Sequence, residues 1–112
     1  MKIYHNPRCS KSRQGLQLLK DANAEVEVVE YIKTPLAVEE IKGILNKLGI
    51  APIDLIRKNE RVWKDEFKHK ELSDEALIQA MHDHPKLIER PIVVKGDKAV
   101  IGRPPENIKS LL

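Results

Sequence analysis

The sequence predicts an α/β domain in which a mixed sheet of four strands is flanked by helices. Three observations predict it. A short strand segment, a helix-spaced stretch and a β-branched run fall within about 30 residues, the length of a parallel βαβ unit. A middle region of helix-spaced apolar residues follows. The last quarter returns to two apolar runs around Gly96-Asp97 and closes on a proline-led helix.

Each element has its own local reason. Lys2-Ile3-Tyr4 reads as a short strand that stops at Asn6-Pro7. Ser10 or Ser12 can cap the first helix, which Leu16, Leu19 and Ala22 continue. Val26 to Tyr31 is β-branched and partly alternating, and predicts the second strand. Thr34-Pro35 opens a turn. Val38, Ile41, Leu45 and Leu48 then recur at spacings of three, four and three, with Gly49 as the stop.

Pro52 to Arg57 predicts a short helix. Lys58 to Lys70 is very polar and reads as a solvated helical face anchored by Val62, Trp63 and Phe67. Ser73 caps a helix carried by Leu77, Ile78 and Met81, and Pro85 ends it. Pro91 to Lys95 and Lys98 to Ile101 form a hairpin. Its two-residue loop with Gly first fits a type II′ turn. Pro104-Pro105 starts the terminal helix, with Ile108, Leu111 and Leu112 on its inner face. The order is β-α-β, a helical middle, then β-β-α, which is the pattern of a thioredoxin-like sheet. The expected organisation is one domain over residues 1–112, with a helical insertion at about 36–84.

Composition narrows the function. The 112 residues are 41% hydrophobic and 33% charged, a balance suited to one modest core. A net charge of +3 is compatible with an anionic small molecule and gives little support for nucleic acid. Aromatics at 4% leave little for base stacking. No apolar run approaches the roughly 20 residues of a membrane helix. The first residues, Met1 to Pro7, contain no apolar signal region, so a cytoplasmic protein is expected.

Cys9 is the one cysteine. It cannot form an intramolecular disulfide, and it cannot build an all-cysteine metal site. It follows the first strand and opens the first helix, where outward N–H groups and the helix dipole favour a thiolate. His5, Arg8, Lys11 and Arg13 are near in sequence and are expected to add positive charge. A buried structural cysteine is the commoner fate of a lone thiol, but Arg8, Ser10 and Lys11 are not apolar flanks. Together these features predict a reactive thiolate.

Two spacings restrict the chemistry. A phosphatase loop needs Arg where this chain has Gly15, and a dithiol motif needs Cys where it has Ser12. What remains is a single thiolate suited to a small oxidised oxyanion or a mixed disulfide.

Arg57, Arg90 and Arg103 each stand beside a structural break. Each alone also fits a solvated surface residue. Together they could grip a tetrahedral oxyanion and stabilise charge during displacement at its centre. Arg90-Pro91 precedes the third strand, where thioredoxin-like folds place a cis proline facing the active cysteine. His82 and His84 form an H-x-H pair, but no Cys or carboxylate cluster accompanies it, so it reads as a helix end.

Four segments carry a resemblance over essentially the whole chain. Ile3 to Arg13, Leu55 to Asn59, Leu87 to Val94 and Ile101 to Glu106 resemble the glutaredoxin-coupled, thioredoxin-fold arsenate reductases of the ArsC type. The chain ends at Leu112, and it most resembles a shorter, housekeeping-like subgroup. The resemblance implies that Cys9 attacks arsenate, that Arg57, Arg90 and Arg103 form the anion site, and that His5 helps keep Cys9 ionised. It implies glutathione as co-substrate, glutaredoxin as partner, arsenite as product, and no metal or bound organic cofactor. A monomer is expected, without nucleic-acid or membrane partners. Two other functions suit the same fold. One is a glutathione-linked oxidoreductase acting on mixed disulfides. The other is a polymerase-binding transcriptional regulator, although such regulators typically use a Cys-x-x-Cys switch that Ser12 interrupts.

Overall fold

A computed structural model describes residues 1–112. Residues 1–34 with 90–112 form one compact unit, and residues 35–89 form another. No helix is long and apolar enough to cross a membrane.

The first unit contains β1 (Lys2–Tyr4), α1 (Ser10–Asp21), β2 (Glu27–Val29), β3 (Ile92–Lys95), β4 (Lys98–Ile101) and a terminal 3-10 helix, Pro105–Leu111. The mixed four-stranded sheet has the order β2-β1-β3-β4. β1 pairs parallel to β2 and antiparallel to β3, and β3 pairs antiparallel to β4. Fold class and strand count agree with expectation.

The sheet register explains the core. Ile3 faces Val93, and Val93 faces Val100, so one face carries an apolar row. Leu19 from α1 and Ile108 and Leu111 from the terminal helix pack with Ile3 and Val93, while Leu16 and Val100 close the margin. In the same row Val28 lies on the edge strand β2 and is 43% exposed. Gly15 and Gly102 allow this packing. A Cβ at either position would stand 2.9 Å from both Ile108 Cδ1 and Pro91 Cγ.

Several element boundaries depart from expectation. The second strand stops at Val29, and Tyr31 lies fully buried in the following turn. Its partner β1 leaves the sheet: the last link is His5 N–H donating to Val29 C=O at 2.9 Å, and Asn6-Pro7 then turns away. The first helix is capped by Cys9 itself, not by Ser10 or Ser12. The terminal helix is 3-10. Its buried residues are Pro105, Ile108 and Leu111, spaced by three, which matches a turn of three residues. In the hairpin only Gly96 has a positive φ, at 62°, which is the requirement of a type II′ turn.

The second unit holds α2 (Val38–Leu48) packed against α3 (Asp74–Asp83). Gly49 ends α2 with φ 68°, and Ser73 Oγ caps α3 by accepting from Ala76 N–H at 3.2 Å. Pro52–Leu55 is 3-10, and Ile56 is already extended, bridging antiparallel to Ile88. The polar stretch contains a single π-helical turn, Trp63–Phe67, closed by Lys68 N–H donating to Trp63 C=O at 2.8 Å. The Trp63 and Phe67 rings stack at 5.9 Å, and His84 meets Phe67 edge-on at 5.7 Å. His82 Nδ1 lies 2.6 Å from Leu36 C=O, so the two histidines of the H-x-H pair have separate partners.

Candidate active site

The path from β1 into α1 places the cysteine. Asn6 C=O accepts from Cys9 N–H at 3.0 Å, which closes a tight turn through Pro7 and Arg8. Cys9 C=O then accepts from Arg13 N–H at 3.0 Å, the first bond of α1. Cys9 is therefore the N-cap, with extended backbone (φ −95°, ψ 123°) and a half-buried side chain. The first turn of α1 contains no acidic residue.

The sequence β3-β4 brings two arginines to this sulfur. Arg103 Nη2 donates to Cys9 Sγ at 3.3 Å, and its Nε donates to Arg90 C=O at 2.8 Å. The Arg90 side chain also donates to the cysteine and is only 8% exposed. Both arginines are followed by a proline in a cis peptide bond, at Arg90-Pro91 as anticipated and at Arg103-Pro104.

These contacts set the ionisation of Cys9. Burial pushes the thiol pKa up, and this is the largest influence. Opposing it are the Ser12 backbone N–H, the Arg90 donor and the positive charges of Arg103 and Arg90. Together they outweigh burial and hold the thiol below its ordinary value. The charge comes from arginines more than 80 positions away in the chain, not from the sequence neighbours that were expected to supply it.

His5 requires a correction. Burial is the main influence on it and lowers its pKa below the usual histidine value; Glu30 opposes this, and Lys20 and Arg13 reinforce it. Burial thus favours the uncharged ring over the positive charge expected of it. Its Nδ1 lies 2.6 Å from Ser12 Oγ. Ser12 is completely buried, and its Oγ also accepts from Asn6 N–H at 3.0 Å. Ser12 thus links His5, the loop and, through its own N–H, the cysteine. From the sequence, Ser12 stood out as a possible helix cap and as the position of a missing second thiol, not as this link. Its place in the first buried turn of α1 was the available signal.

Arg57 belongs to the second unit. Its N–H donates to Leu87 C=O at 2.7 Å, and its Nε lies 3.4 Å from Glu60 Oε1. The structure therefore gathers Cys9, Arg90 and Arg103 directly, with His5 behind Ser12.

A sulfur stabilised as an anion beside two guanidiniums is equipped to attack an electrophilic centre carrying negative oxygens. A profile described as the ArsC family matches residues 4–111. The chain is 50% identical over 114 residues to an uncharacterized protein, YfgD, of Escherichia coli (strain K12), covering 100% of this chain and 96% of that one. It is 46% identical over 114 residues to an arsenate reductase of Neisseria meningitidis, covering 100% and 97%. Among solved structures, an arsenate reductase from Vibrio cholerae superposes with a TM-score of 0.94 at 44% identity, covering 100% and 98%. With sequence and fold matching from end to end, the chain belongs to the ArsC family.

Proposed function

We propose that this protein reduces arsenate to arsenite through Cys9, with glutathione and glutaredoxin supplying the electrons. One observation carries the reading: a half-buried thiol held below its ordinary pKa, with the Arg103 guanidinium 3.3 Å from its sulfur. The same guanidiniums that favour the thiolate suit the oxygens of a tetrahedral anion. Arg57 is assigned to the anion set on the family resemblance at Leu55 to Asn59.

In the first step the Cys9 thiolate attacks arsenic. An arsenic–sulfur bond forms, one arsenate oxygen leaves as water after protonation, and no redox change occurs. Arg90 and Arg103 balance the charge on the remaining oxygens. In the second step a glutathione thiolate attacks the Cys9 sulfur. A disulfide forms, the arsenic–sulfur electron pair stays on arsenic, and As(V) becomes As(III) and departs as arsenite. Glutaredoxin then takes the glutathione from Cys9 by thiol–disulfide exchange, restoring the thiolate. The single cysteine fits this sequence, because every other thiol comes from outside.

A glutathione- and glutaredoxin-coupled assay of arsenate reduction tests the proposal. Wild type is expected to turn over above the coupled blank and Cys9→Ser to fall to it. Arg57→Ala is expected to raise the arsenate KM. Cleavage of a glutathionylated peptide without arsenate turnover would replace this reading with that of a mixed-disulfide oxidoreductase.

A further inference from the structure

Asn6 engages the loop before Cys9 at three atoms. Its N–H donates to the buried Ser12 Oγ at 3.0 Å, its C=O accepts from Cys9 N–H at 3.0 Å, and its side-chain Oδ1 accepts from Arg8 N–H at 3.0 Å. The first two bonds use backbone atoms and could be made by any residue. The third requires a short side-chain acceptor. Asparagine at the first position and proline at the second are the residues that favour this kind of turn. Asn bonds its own backbone two residues on, and Pro presets the next φ.

We infer that Asn6 is a positioning residue for the Cys9 thiolate. The inference rests on Cys9 being the nucleophile proposed above. The Arg8 N–H bond fixes the middle of the turn, and the turn fixes where Cys9 enters α1. That entry point decides whether the sulfur meets both the Ser12 N–H and the Arg103 guanidinium. These donors are directional, so a loosened turn weakens them while the bulk of the fold remains. Asn6 also joins the two sides of the site. Ser12 Oγ receives the Asn6 N–H and lies 2.6 Å from His5 Nδ1, so one residue links the end of β1, the loop and the first turn of α1. Pro7 adds a further tether, its C=O accepting from Arg13 Nη1 at 2.8 Å.

The test is the pH dependence of Cys9 alkylation by iodoacetamide in wild type, Asn6→Ala and Asn6→Ser, with thermal unfolding measured alongside. Asn6→Ala is expected to move the titration midpoint upward. Its rate at pH 7 should fall roughly two- to tenfold, the effect of losing one hydrogen bond of ordinary strength. The high-pH plateau should be unchanged, because the fully ionised sulfur remains accessible. Asn6→Ser can make the same bond more weakly and is expected to lie between the two. A wild-type midpoint in Asn6→Ala, or no recovery in Asn6→Ser, overturns the inference. Alkylation needs no arsenate, so failure of the arsenate assay in wild type would sink the proposed function and leave this measurement standing.

Discussion

Arg103 reaches Cys9 from the far end of the chain, its Nη2 donating to Sγ at 3.3 Å. The same side chain is anchored by its Nε on Arg90 C=O at 2.8 Å. The anchor holds the guanidinium in one orientation, so its position does not depend on an anion being bound. A planar fork can hold a backbone oxygen with one nitrogen and face a sulfur with another; an ammonium cannot do both in fixed geometry.

Replacing Arg103 therefore affects the thiolate before any substrate arrives. Arg103→Ala is expected to raise the Cys9 titration midpoint and slow alkylation at pH 7 by roughly tenfold, the equivalent of about one pKa unit. Arg103→Lys keeps the charge without the fork and should recover only part of that loss. Alkylation profiles matching wild type in both variants would remove Arg103 from the ionisation of Cys9.

His5 gives the fold a pH dependence whose sign follows from its lowered pKa. The unfolded chain binds a proton at higher pH than the folded one. Stability is therefore complete above the ordinary histidine pKa of about 6.5, and it falls as pH drops toward the lower folded value. The melting temperature of wild type should decline as pH is lowered from 7 to 5. In His5→Asn that part of the decline should disappear. An identical pH slope in both proteins would show that His5 is not buried in its neutral form.

Ser12 Oγ serves Asn6 N–H and His5 Nδ1 in a site closed to water. Ser12→Ala strands both groups and should cost about 1–3 kcal/mol in urea unfolding. Its backbone N–H survives the change, so the Cys9 thiolate should lose less than it does in Arg103→Ala. A stability unchanged from wild type would mean that the loop finds other partners.

Two glycines should respond in opposite directions. In Gly15→Ala the new methyl meets Ile108 Cδ1 and Pro91 Cγ at 2.9 Å, and overpacking of this kind typically costs about 1–3 kcal/mol. Gly43 is exposed in the interior of α2, with nothing within 4 Å of an added Cβ. Gly43→Ala should stabilise by about 0.5–1 kcal/mol through helix propensity. Thermal melts of the two variants on either side of wild type test both statements.

Much of the fold was legible because its signals are local. The short strand at Lys2–Tyr4, the β-branched run at Ile92–Lys95, the Ser73 cap, the Gly49 stop and the Gly96-Asp97 turn all read correctly. The misread boundaries depend on partners distant in the chain. Val29 ends its strand because β1 departs at Asn6, and Pro105–Leu111 winds as 3-10 because its buried residues recur every third position. The site divides in the same way. Cys9 announced itself through its flanks, whereas the buried Ser12 and the lowered pKa of His5 are consequences of packing.

From the order of residues alone came the alternation of elements, the lone sulfur at a helix start and the arginines beside chain breaks, since propensity, capping and turn chemistry act over a few positions. Only folding decided which cations face that sulfur. Arg90 and Arg103 flank an antiparallel hairpin whose pairing with β1 carries them to the start of α1, while Arg8, Lys11 and Arg13 next door remain exposed. Charge acts through distance in space, and distance in space is fixed by the sheet.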